Sequence, residues 1–474
     1  MLFYEPLFLF IFLPSFYCLY LLGERWRSFR AGIILLASIA FYSWSDPFIP
    51  ALVLASSLVD WLIAAAMNRA PPASIRARSL LAFGITLNLA MLVYYKYTHF
   101  LIQNLDQILH ASALPELSNP DIRLPIGLSF VVFEKITYLV DIHRRAARPA
   151  RNLLRYLLYV FFFPKLLAGP IIKYHELESQ LDQLPRANID DFSAGLLRFM
   201  LGVVKKTLLA DTLARGADMI FNAPSGSIGW NEAWLGVLLF TFQIYFDFSG
   251  YSDMAIGLAR MLGFRLLENF DMPYISCSIT EFWRRWHISL TTWIREYLYI
   301  SLGGNRARPV RHLANLWICF IASGLWHGAA WTYVAWGVYN GLFLVLDKLF
   351  LLRALRHLPA WIANLLTFSF VVLGWAIFRA TSLPQALSLW KAMLHPGATT
   401  TAPVFITNDI KLALLLAAFI CAAPRLPGFD RLWAMAVAGG WPGIGMQTAL
   451  ALLFVAAVGK AVADPFTPFL YFRF

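Results

Sequence analysis

Continuous apolar runs of bilayer length recur from end to end of this 474-residue chain, and they restrict its fold more than any other feature. Charged residues make up 14% of the sequence, whereas a soluble domain of average composition carries about 25%. Only α-helices and closed β-barrels satisfy every backbone hydrogen-bonding group in lipid, and runs that are continuous rather than alternating favour helices. The sequence therefore predicts an all-α polytopic membrane protein.

The number of apolar runs indicates a bundle of helices. We expect about a dozen membrane-embedded helices. They should form one domain over residues 1–474, because the helices need one another to bury their polar residues. The N-terminal run has no basic leader and no small-residue cleavage site, so we interpret it as the first span and not as a signal peptide. Later apolar segments are predicted at residues 193–220, 232–249, 312–323, 327–350, 359–379, 410–424 and 445–463.

Basic residues in the first third of the chain alternate with loops that have fewer of them. Arg25, Arg27 and Arg30 follow the first span, whereas the next loop has no basic residue. This alternation predicts that the N-terminus lies outside and that the arginine-rich loops lie in the cytoplasm. The net charge of +12 has the same explanation and suits contact with anionic lipid, so we expect no nucleic-acid partner.

One apolar stretch is too broken for a simple span. Pro164, Lys165 and Pro170 interrupt residues 157–172. Because irregular backbone at membrane depth is tolerated only inside protein, this stretch is predicted to be a re-entrant segment. The polar residues 173–192 that follow are predicted to form a loop.

Residues 271–311 are dense in arginine, tryptophan and tyrosine. Ser278 followed by Glu281 is a capping pattern that predicts the start of a helix, and Gly303 and Gly304 predict its end. A polar stripe along this helix comprises Glu281, Arg285, Ser289, Thr292 and Glu296. Two interpretations stay open: an amphipathic helix at the cytoplasmic headgroups, which the composition favours, or the frame of a site entered from the cytoplasm.

A histidine stands within the apolar stretch SGLWHGAAWTYVAWG, residues 323–337. On a continuous helix its neighbours are small or aromatic, namely Ser323, Gly324, Ala330 and Trp331. Small residues on a membrane helix indicate close contact with another helix, so His327 is expected inside the bundle. Ionisable groups at membrane depth are costly and often functional, and imidazole can accept a proton from a hydroxyl. His327 is therefore a catalytic candidate, with a structural histidine as the alternative.

Two carboxylates, Asp247 and Asp253, lie in the stretch QIYFDFSGYSDMAIG, residues 243–257. They suit either the coupling-ion site of a transporter or the bracing of a site through bonds to backbone and arginine, and we favour bracing. The sequence contains no nucleophile-elbow serine, zinc-protease, P-loop or dinucleotide motif. His287 and His327 are 40 residues apart with no third ligand evident, so no metal site is expected.

Five blocks of the sequence stand out as motifs. They are PIGLSFVVFEKITYLVD (125–141), FFPKLLAGPI (162–171), QIYFDFSGYSDMAIGLARMLGF (243–264), ITEFWRRWHISLTTWIREYLYISLGGNR (279–306) and GLWHGAAWTYVAWG (324–337). In this order they closely resemble the bacterial membrane-bound O-acyltransferase (MBOAT) family. Within this family, the chain resembles the membrane subunits that O-acetylate alginate and other exopolysaccharides.

The resemblance implies an MBOAT-type helical bundle with re-entrant segments and a central tunnel. It also implies that an acyl group arrives from the cytoplasm and is accepted by a hydroxyl reached from the other side. In the family the W-H-G histidine, here His327, is catalytic, and His287 is the second signature polar residue. We expect His327 to act as general base and His287 to orient the thioester or stabilise charge on its oxygen. Glu134 and Lys165 depart from the neutral polar residues expected beside the site.

The resemblance also implies substrates and partners. The expected donor is acetyl-CoA or another acetyl thioester, with no bound cofactor and no metal. The expected partners are a periplasmic SGNH-like acetyltransferase, the polysaccharide secretion machinery and membrane lipid, at the bacterial inner membrane. Alternatives are D-alanyl transfer, acyl transfer to peptidoglycan, and an ion-coupled transporter that uses Asp247 and Asp253.

Further residues are candidates for binding these substrates. We expect a substrate-binding role for Asp247, Tyr251, Trp283, Arg284, Trp326 and Asn340. Guanidinium groups pair well with phosphate, so Arg284 and the loop arginines are candidates to meet the phosphates of a nucleotide thioester. These loop arginines are Arg306, Arg308 and Arg311.

Overall fold

A computed structural model describes residues 1–23, 27–44, 46–72, 74–112, 114–224, 226–401, 403–429, 440–464 and 468–470. These residues form α-helices joined by turns and by longer non-helical segments, and no β-strand occurs among them. They group into two compact units. The first comprises Met1–Gly195 and Leu258–Leu267, and the second comprises Leu196–Gly257 and Glu268–Phe474. The predicted all-α class is confirmed, whereas the expected single domain stays a prediction. Arg25 lies outside the described residues.

The first unit is built from apolar helices packed side by side. Its helices are α1 (Leu13–Leu22), α2 (Arg27–Ser43), α3 (Phe48–Arg69), α4 (Ile75–Leu92), α5 (Thr98–Ala111), α6 (Leu128–His143), α7 (Leu153–Phe161), α8 (Phe163–Leu166) and α9 (Tyr174–Asp182). Helices α3, α4 and α6 pack against one another, and α2 packs against α7. π-helical turns at Phe8–Phe12 and Val93–Tyr97 extend α1 and join α4 to α5.

The helices that follow lie mainly in the second unit, since only residues 189–195 and 258–261 of them belong to the first. They are α10 (Ile189–Val204), α11 (Asp211–Phe221), α12 (Trp230–Met261), α13 (Ile279–Arg285), α14 (Ile288–Trp293), α15 (Pro309–His327), α16 (Trp331–Leu346), α17 (Leu352–Arg356), α18 (Ala360–Arg379), α19 (Leu383–Leu394), α20 (Asn408–Ala422) and α21 (Gly440–Ala463). π-helical turns occur at Lys205–Ala210, Ile294–Tyr299 and Asp347–Leu351, and 3₁₀ turns at Pro273–Ile275, Gly304–Arg306 and Ala423–Arg425. Helix α16 packs against both α15 and α18.

Within the part of the chain that the structure describes, five helices are long and apolar enough to cross a membrane. They are Phe48–Arg69, Ile75–Ala111, Trp230–Met261, Ala360–Arg379 and Gly443–Ala463. Two shorter apolar helices, Phe8–Leu22 and Phe29–Ser43, accompany them. The interior of α12 is mostly buried in the second unit, whereas most of α21 is exposed, as expected for a helix that faces lipid. The polytopic membrane class is thus confirmed.

The interrupted stretch 157–172 is broken and buried, as predicted. Helix α7 ends at Phe161, the four-residue α8 contains Pro164 and Lys165, and the chain is non-helical around Pro170. The loop predicted at 173–192 is wrong, because this stretch contains α9 and the start of α10. Helix α9 buries three residues at helical spacing, Tyr174, Leu177 and Leu181, so a weak apolar face was present in the sequence.

The single long helix predicted after Ser278 is also wrong. Ser278 does cap a helix, since its Oγ accepts a hydrogen bond from Glu281 N at 3.0 Å. The helix nevertheless ends at Arg285, and the next begins at Ile288. His287 lies between them with φ +44°, a left-handed conformation that non-glycine residues rarely adopt. The polar stripe is therefore not continuous.

This segment is also not an interfacial helix. Four of its aromatic side chains are buried in the second unit, namely Trp283, Trp286, Trp293 and Tyr297. Aromatic residues of an interfacial helix would instead lie at the lipid boundary. Composition alone was misleading because it does not distinguish a headgroup contact from a protein core. The segment therefore frames part of the interior, as the second interpretation required.

Helices α15 and α16 form an antiparallel pair in close contact. A β-carbon built on Gly324 would lie 2.2 Å from the Tyr333 carbonyl oxygen, and one on Gly337 would lie 2.4 Å from the Phe320 carbonyl oxygen. The predicted role of these glycines in helix contact is therefore confirmed. Gly324 and Gly328 leave no room for a substrate beside them, because Tyr333 fills both places.

Candidate active site

Two histidines that are far apart in sequence meet in the interior of the second unit. The ring centroids of His287 and His327 are 6.5 Å apart. The exposed fraction of the residue is 0% for His287 and 5% for His327. His287 stands at the break between α13 and α14, and His327 is the last residue of α15. The structure therefore joins the two catalytic candidates in one buried place.

The position of His327 differs from the expected one on a continuous helix. Helix α15 ends at this residue, and Gly328 is extended with φ −165° and ψ 155°. Ala330 and Trp331 consequently begin the next element and are not its helical neighbours.

Aromatic rings surround the two imidazoles. His327 contacts Trp326, Trp336 and Phe378 with ring centroids at 5.0, 5.3 and 5.2 Å. His287 contacts Phe248 edge to face at 4.5 Å, and it lies 6.0 Å from Trp326. Such walls exclude water, and in a dry site a hydrogen bond or a developing charge has a larger effect than in solvent.

Asn269 bonds the segment that carries His287. Its Oδ1 lies 3.2 Å from His287 Nδ1 and accepts hydrogen bonds from Ser289 N at 3.2 Å and Ser289 Oγ at 2.9 Å. Its backbone oxygen accepts a hydrogen bond from Ile288 N at 2.9 Å. Asn269 is itself buried. Sequence reasoning missed this residue, since an isolated asparagine in a loop has no motif that distinguishes it.

The two carboxylates of α12 are ion-paired. Asp247 Oδ1 lies 3.0 Å from Lys206 Nζ, and its Oδ2 accepts a hydrogen bond from Leu470 N at 2.7 Å. Asp253 bonds Lys205 at 2.6 Å and Arg198 at 2.9 Å. Among the described residues, no group of three histidine, cysteine, aspartate or glutamate side chains is arranged to hold a metal ion. This pairing fits the structural bracing that we favoured and argues against a coupling-ion site.

The unusual pair Glu134 and Lys165 lies in the first unit. The two side chains are buried and form a salt bridge with each other. The next residue, Lys135, bonds Asp60 at 3.2 Å in a second buried pair. A buried charge without a partner costs several kcal/mol, so the departure at Glu134 and the departure at Lys165 compensate each other.

The remaining predicted residues divide into two groups. Trp283 packs against Trp336 at 5.6 Å, and Asn340 Nδ2 donates to the Trp336 carbonyl at 2.9 Å, so both connect to His327 through Trp336. Tyr251 instead stacks on Phe469 at 4.7 Å. Trp336 and Phe378, which touch His327, were missed because buried aromatics are common in any core.

Arginines line two surface pockets of the second unit. Arg306, Arg308 and Arg311 line one pocket of about 570 Å³. Arg284 is exposed and lines another, of about 600 Å³, together with Arg285 and Arg356. Arg285 is held by Glu281 and Asp271, each at 3.0 Å. The first pocket has no acidic lining residue, and so it suits phosphate groups better than the second.

The buried histidine pair and the helical membrane fold together suit proton transfer at membrane depth, and sequence comparison identifies the class of enzyme. The sequence model of the membrane-bound O-acyltransferase (MBOAT) family matches residues 77–383, which is more than half of the chain. The chain therefore belongs to the membrane-bound O-acyltransferase family.

Similar proteins point to acetyl transfer within this family. A Pseudomonas aeruginosa protein named probable alginate O-acetylase AlgI is 37% identical over 526 aligned positions that cover 100% of both chains. A Helicobacter pylori peptidoglycan O-acetyltransferase is 34% identical and covers 83% of this chain and 80% of its own length. A Bacillus subtilis teichoic acid D-alanyltransferase is 28% identical over 56% of this chain and 72% of its own. The chain is thus an enzyme, a membrane-bound O-acetyltransferase.

Proposed function

We propose that the enzyme transfers an acetyl group from a cytoplasmic thioester to an exported, alginate-like polysaccharide at the bacterial inner membrane. The observation that carries this proposal is the buried approach of His287 and His327 to 6.5 Å in a membrane-embedded unit. Support for the acceptor comes from the alginate O-acetylase of Pseudomonas aeruginosa, which matches this chain along its whole length. Acetyl transfer to peptidoglycan is the second candidate, supported by a relative that covers 83% of the chain.

In the proposed reaction His327 acts as general base. It accepts the proton of the acceptor hydroxyl while the hydroxyl oxygen attacks the thioester carbonyl. The new C–O bond forms, the C–S bond breaks, and the departing thiolate takes up a proton, so the reaction needs no other reactant. General base catalysis contributes roughly 10²- to 10⁴-fold to such a step. Dry aromatic walls around His327 hold the reactants close together and add to the rate.

The donor is proposed to be acetyl-CoA or another acetyl thioester. The pocket with Arg306, Arg308 and Arg311 offers three guanidinium groups within one short segment. Guanidinium pairs in a bidentate manner with phosphate, which supports a nucleotide-bearing donor. A donor entering from the cytoplasm through a tunnel is consistent with the arginine-rich loops being cytoplasmic.

The acceptor step is proposed to use a periplasmic SGNH-like partner. In this scheme the membrane enzyme acetylates the partner or presents the acetyl group to it, and the partner modifies the polymer within the secretion machinery. This part of the proposal rests on the resemblance to polysaccharide O-acetylases.

The decisive variant is His327→Ala. We expect at least a 10²-fold loss of acetyl transfer per folded molecule, because the general base is lost. The measurement is ester content of the exported polymer in cells and transfer from radiolabelled acetyl-CoA by the purified enzyme. Trp331→Ala, an exposed position four residues away, is the matched control. Wild-type transfer by His327→Ala would refute the assignment.

Product analysis separates the proposal from its alternatives. Acetyl ester on the polymer supports the polysaccharide acceptor, whereas acetylated peptidoglycan supports the second candidate. Ion-dependent movement of substrate without consumption of a thioester would indicate a transporter instead.

A further inference from the structure

Asn269 lies where it can decide which nitrogen of His287 carries the proton. Its Oδ1 accepts a hydrogen bond from the backbone N–H of Ser289 at 3.2 Å. A backbone N–H can only donate, so the atom that faces it must be the amide oxygen and not the amide nitrogen. The opposite end of the same amide, Nδ2, donates to Ser252 Oγ at 3.3 Å. The Ser289 N–H therefore fixes the orientation of this side chain, and the Ser252 hydroxyl, which can donate or accept, is compatible with that orientation.

The orientation of Asn269 determines the tautomer of His287. The same Oδ1 lies 3.2 Å from His287 Nδ1. An oxygen that can only accept requires a donor, so Nδ1 carries a hydrogen. In a neutral imidazole the other nitrogen, Nε2, is then the hydrogen-bond acceptor. A neutral His287 in this state accepts a proton or a hydrogen bond and does not donate one to the thioester oxygen.

The backbone gives a second, independent reason to regard Asn269 as the support of His287. His287 has φ +44°, and the chain leaves this conformation directly into α14. The next two backbone N–H groups, of Ile288 and Ser289, both donate to Asn269, one to its backbone oxygen and one to its side chain. Residues in rare conformations persist only where surrounding contacts hold them.

We infer that Asn269 is a positioning residue that holds His287 in the Nδ1-protonated tautomer, so that His287 serves as a hydrogen-bond acceptor beside His327. This inference rests on the proposed function for the role of His287. It replaces the earlier expectation that His287 stabilises charge on the thioester oxygen. His327 stays the general base, and His287 Nε2 orients the acceptor hydroxyl or the His327 ring.

The kinetic test compares two substitutions at one position. Asn269→Ala removes the oxygen, and we expect kcat to fall on the order of 10- to 100-fold, as when outer partners of functional histidines are removed. The KM for the acetyl donor should stay unchanged, because Asn269 does not bind the donor. Asn269→Asp keeps an acceptor oxygen and should recover most of kcat. Ser252→Ala removes only the partner of the amide nitrogen and is the matched control.

The structural test reads the tautomer directly. ¹⁵N NMR of histidine-labelled enzyme, with the His287 signals assigned by difference from His287→Asn, should show a protonated Nδ1 in the wild type and in Asn269→Asp. In Asn269→Ala the proton should move to Nε2 in part of the population. A residue that only caps α14 would change the melting temperature and leave both the tautomer and kcat as they are.

The outcomes separate the inference from the proposed function. If Asn269→Ala folds and keeps both kcat and the Nδ1-protonated ring, the inference is wrong. If it loses stability alone, Asn269 is only a helix cap and the inference is also wrong. If His287→Asn transfers acetyl groups at the wild-type rate, the proposed role of His287 fails, while the NMR result still decides what Asn269 does.

Discussion

The second unit contains two sets of buried polar side chains that are satisfied in opposite ways. The carboxylates of Asp247 and Asp253 bond lysine and arginine side chains. The imidazoles of His287 and His327 have aromatic rings and the amide of Asn269 as neighbours. Paired charges hold helices together and resist a change of protonation. Neutral imidazoles can gain and lose protons, and so the difference separates the supporting groups from those suited to chemistry.

The largest expected effect is on the free energy of unfolding, and it concerns the paired charges. Lys206 is buried and bonds both Asp211 and Asp247. Lys206→Met leaves the buried Asp247 and the partly buried Asp211 without their shared cation, and we expect a loss of about 3–5 kcal/mol in unfolding free energy. The folded fraction should keep its kcat. This is the opposite of the phenotype expected for His327→Ala. Chemical denaturation in detergent, combined with activity per folded molecule, measures both quantities.

The neighbouring lysine provides the control for this substitution. Lys205 bonds Asp253 at 2.6 Å, but Asp253 keeps Arg198 as a second partner at 2.9 Å. Lys205→Met should therefore lower the free energy of unfolding clearly less than Lys206→Met does. A fall in kcat at unchanged stability for Lys206→Met would remove the distinction between the two sets of groups.

An intermediate effect is expected where α15 and α16 meet. Gly324→Ala places a β-carbon 2.2 Å from a backbone oxygen of Tyr333, so the helices must separate. We expect a cost of roughly 1–3 kcal/mol, with reduced acetyl transfer because His327 follows three residues later. At Gly341 the nearest atom would lie 3.4 Å away, an ordinary contact. Gly341→Ala should thus be nearly neutral. Equal melting temperatures for the two variants would contradict the close contact.

The smallest effect is a pH dependence in the first unit, away from the spanning helices. His175 Nδ1 donates to Asp141 Oδ2 at 2.9 Å, and this hydrogen bond raises the pKa of His175 above its ordinary 6.5. Because the folded pKa is raised, the contribution to stability is fully present below pH 6.5 and is lost as the pH rises through the higher folded value.

Thermal unfolding between pH 6 and pH 9 tests this dependence. His175→Gln should lower the melting temperature slightly at acidic pH and leave it unchanged at alkaline pH. The effect is small because the side chain is partly exposed to solvent. A larger difference in melting temperature at alkaline pH than at acidic pH would show that the predicted direction of the pH dependence is wrong. Because His175, like Asp247 and Asp253, is bonded to a charged partner, acetyl transfer should not change.

The sequence was sufficient to predict the fold class and the buried position of one histidine, His327. Continuous apolar runs predict membrane helices because backbone hydrogen bonding in lipid leaves few options, and the small residues near His327 correctly placed it in a protein interior. The salt bridges of Asp247 and Asp253 also follow from the cost of charge at membrane depth. What these predictions share is a dependence on local composition and spacing.

The geometry of the site depends on features without a local signal. The residues around His287 do not predict a left-handed conformation, because glycine or asparagine is its usual indicator. The end of α15 at His327 depends on Gly328, which equally suited a helix contact. Asn269 supports His287 through residues 18 to 20 positions later in the chain. Such long-range contacts appear only when the chain is folded.

The left-handed backbone at His287 limits how that position can be altered, in nature or in the laboratory. Branched and bulky side chains cannot enter this region of φ and ψ without steric cost, whereas asparagine and glycine enter it readily. A substitution such as valine would disturb the path of the chain between α13 and α14 and confuse folding with chemistry. Asparagine changes the functional group alone, and it is therefore the informative replacement for the second histidine.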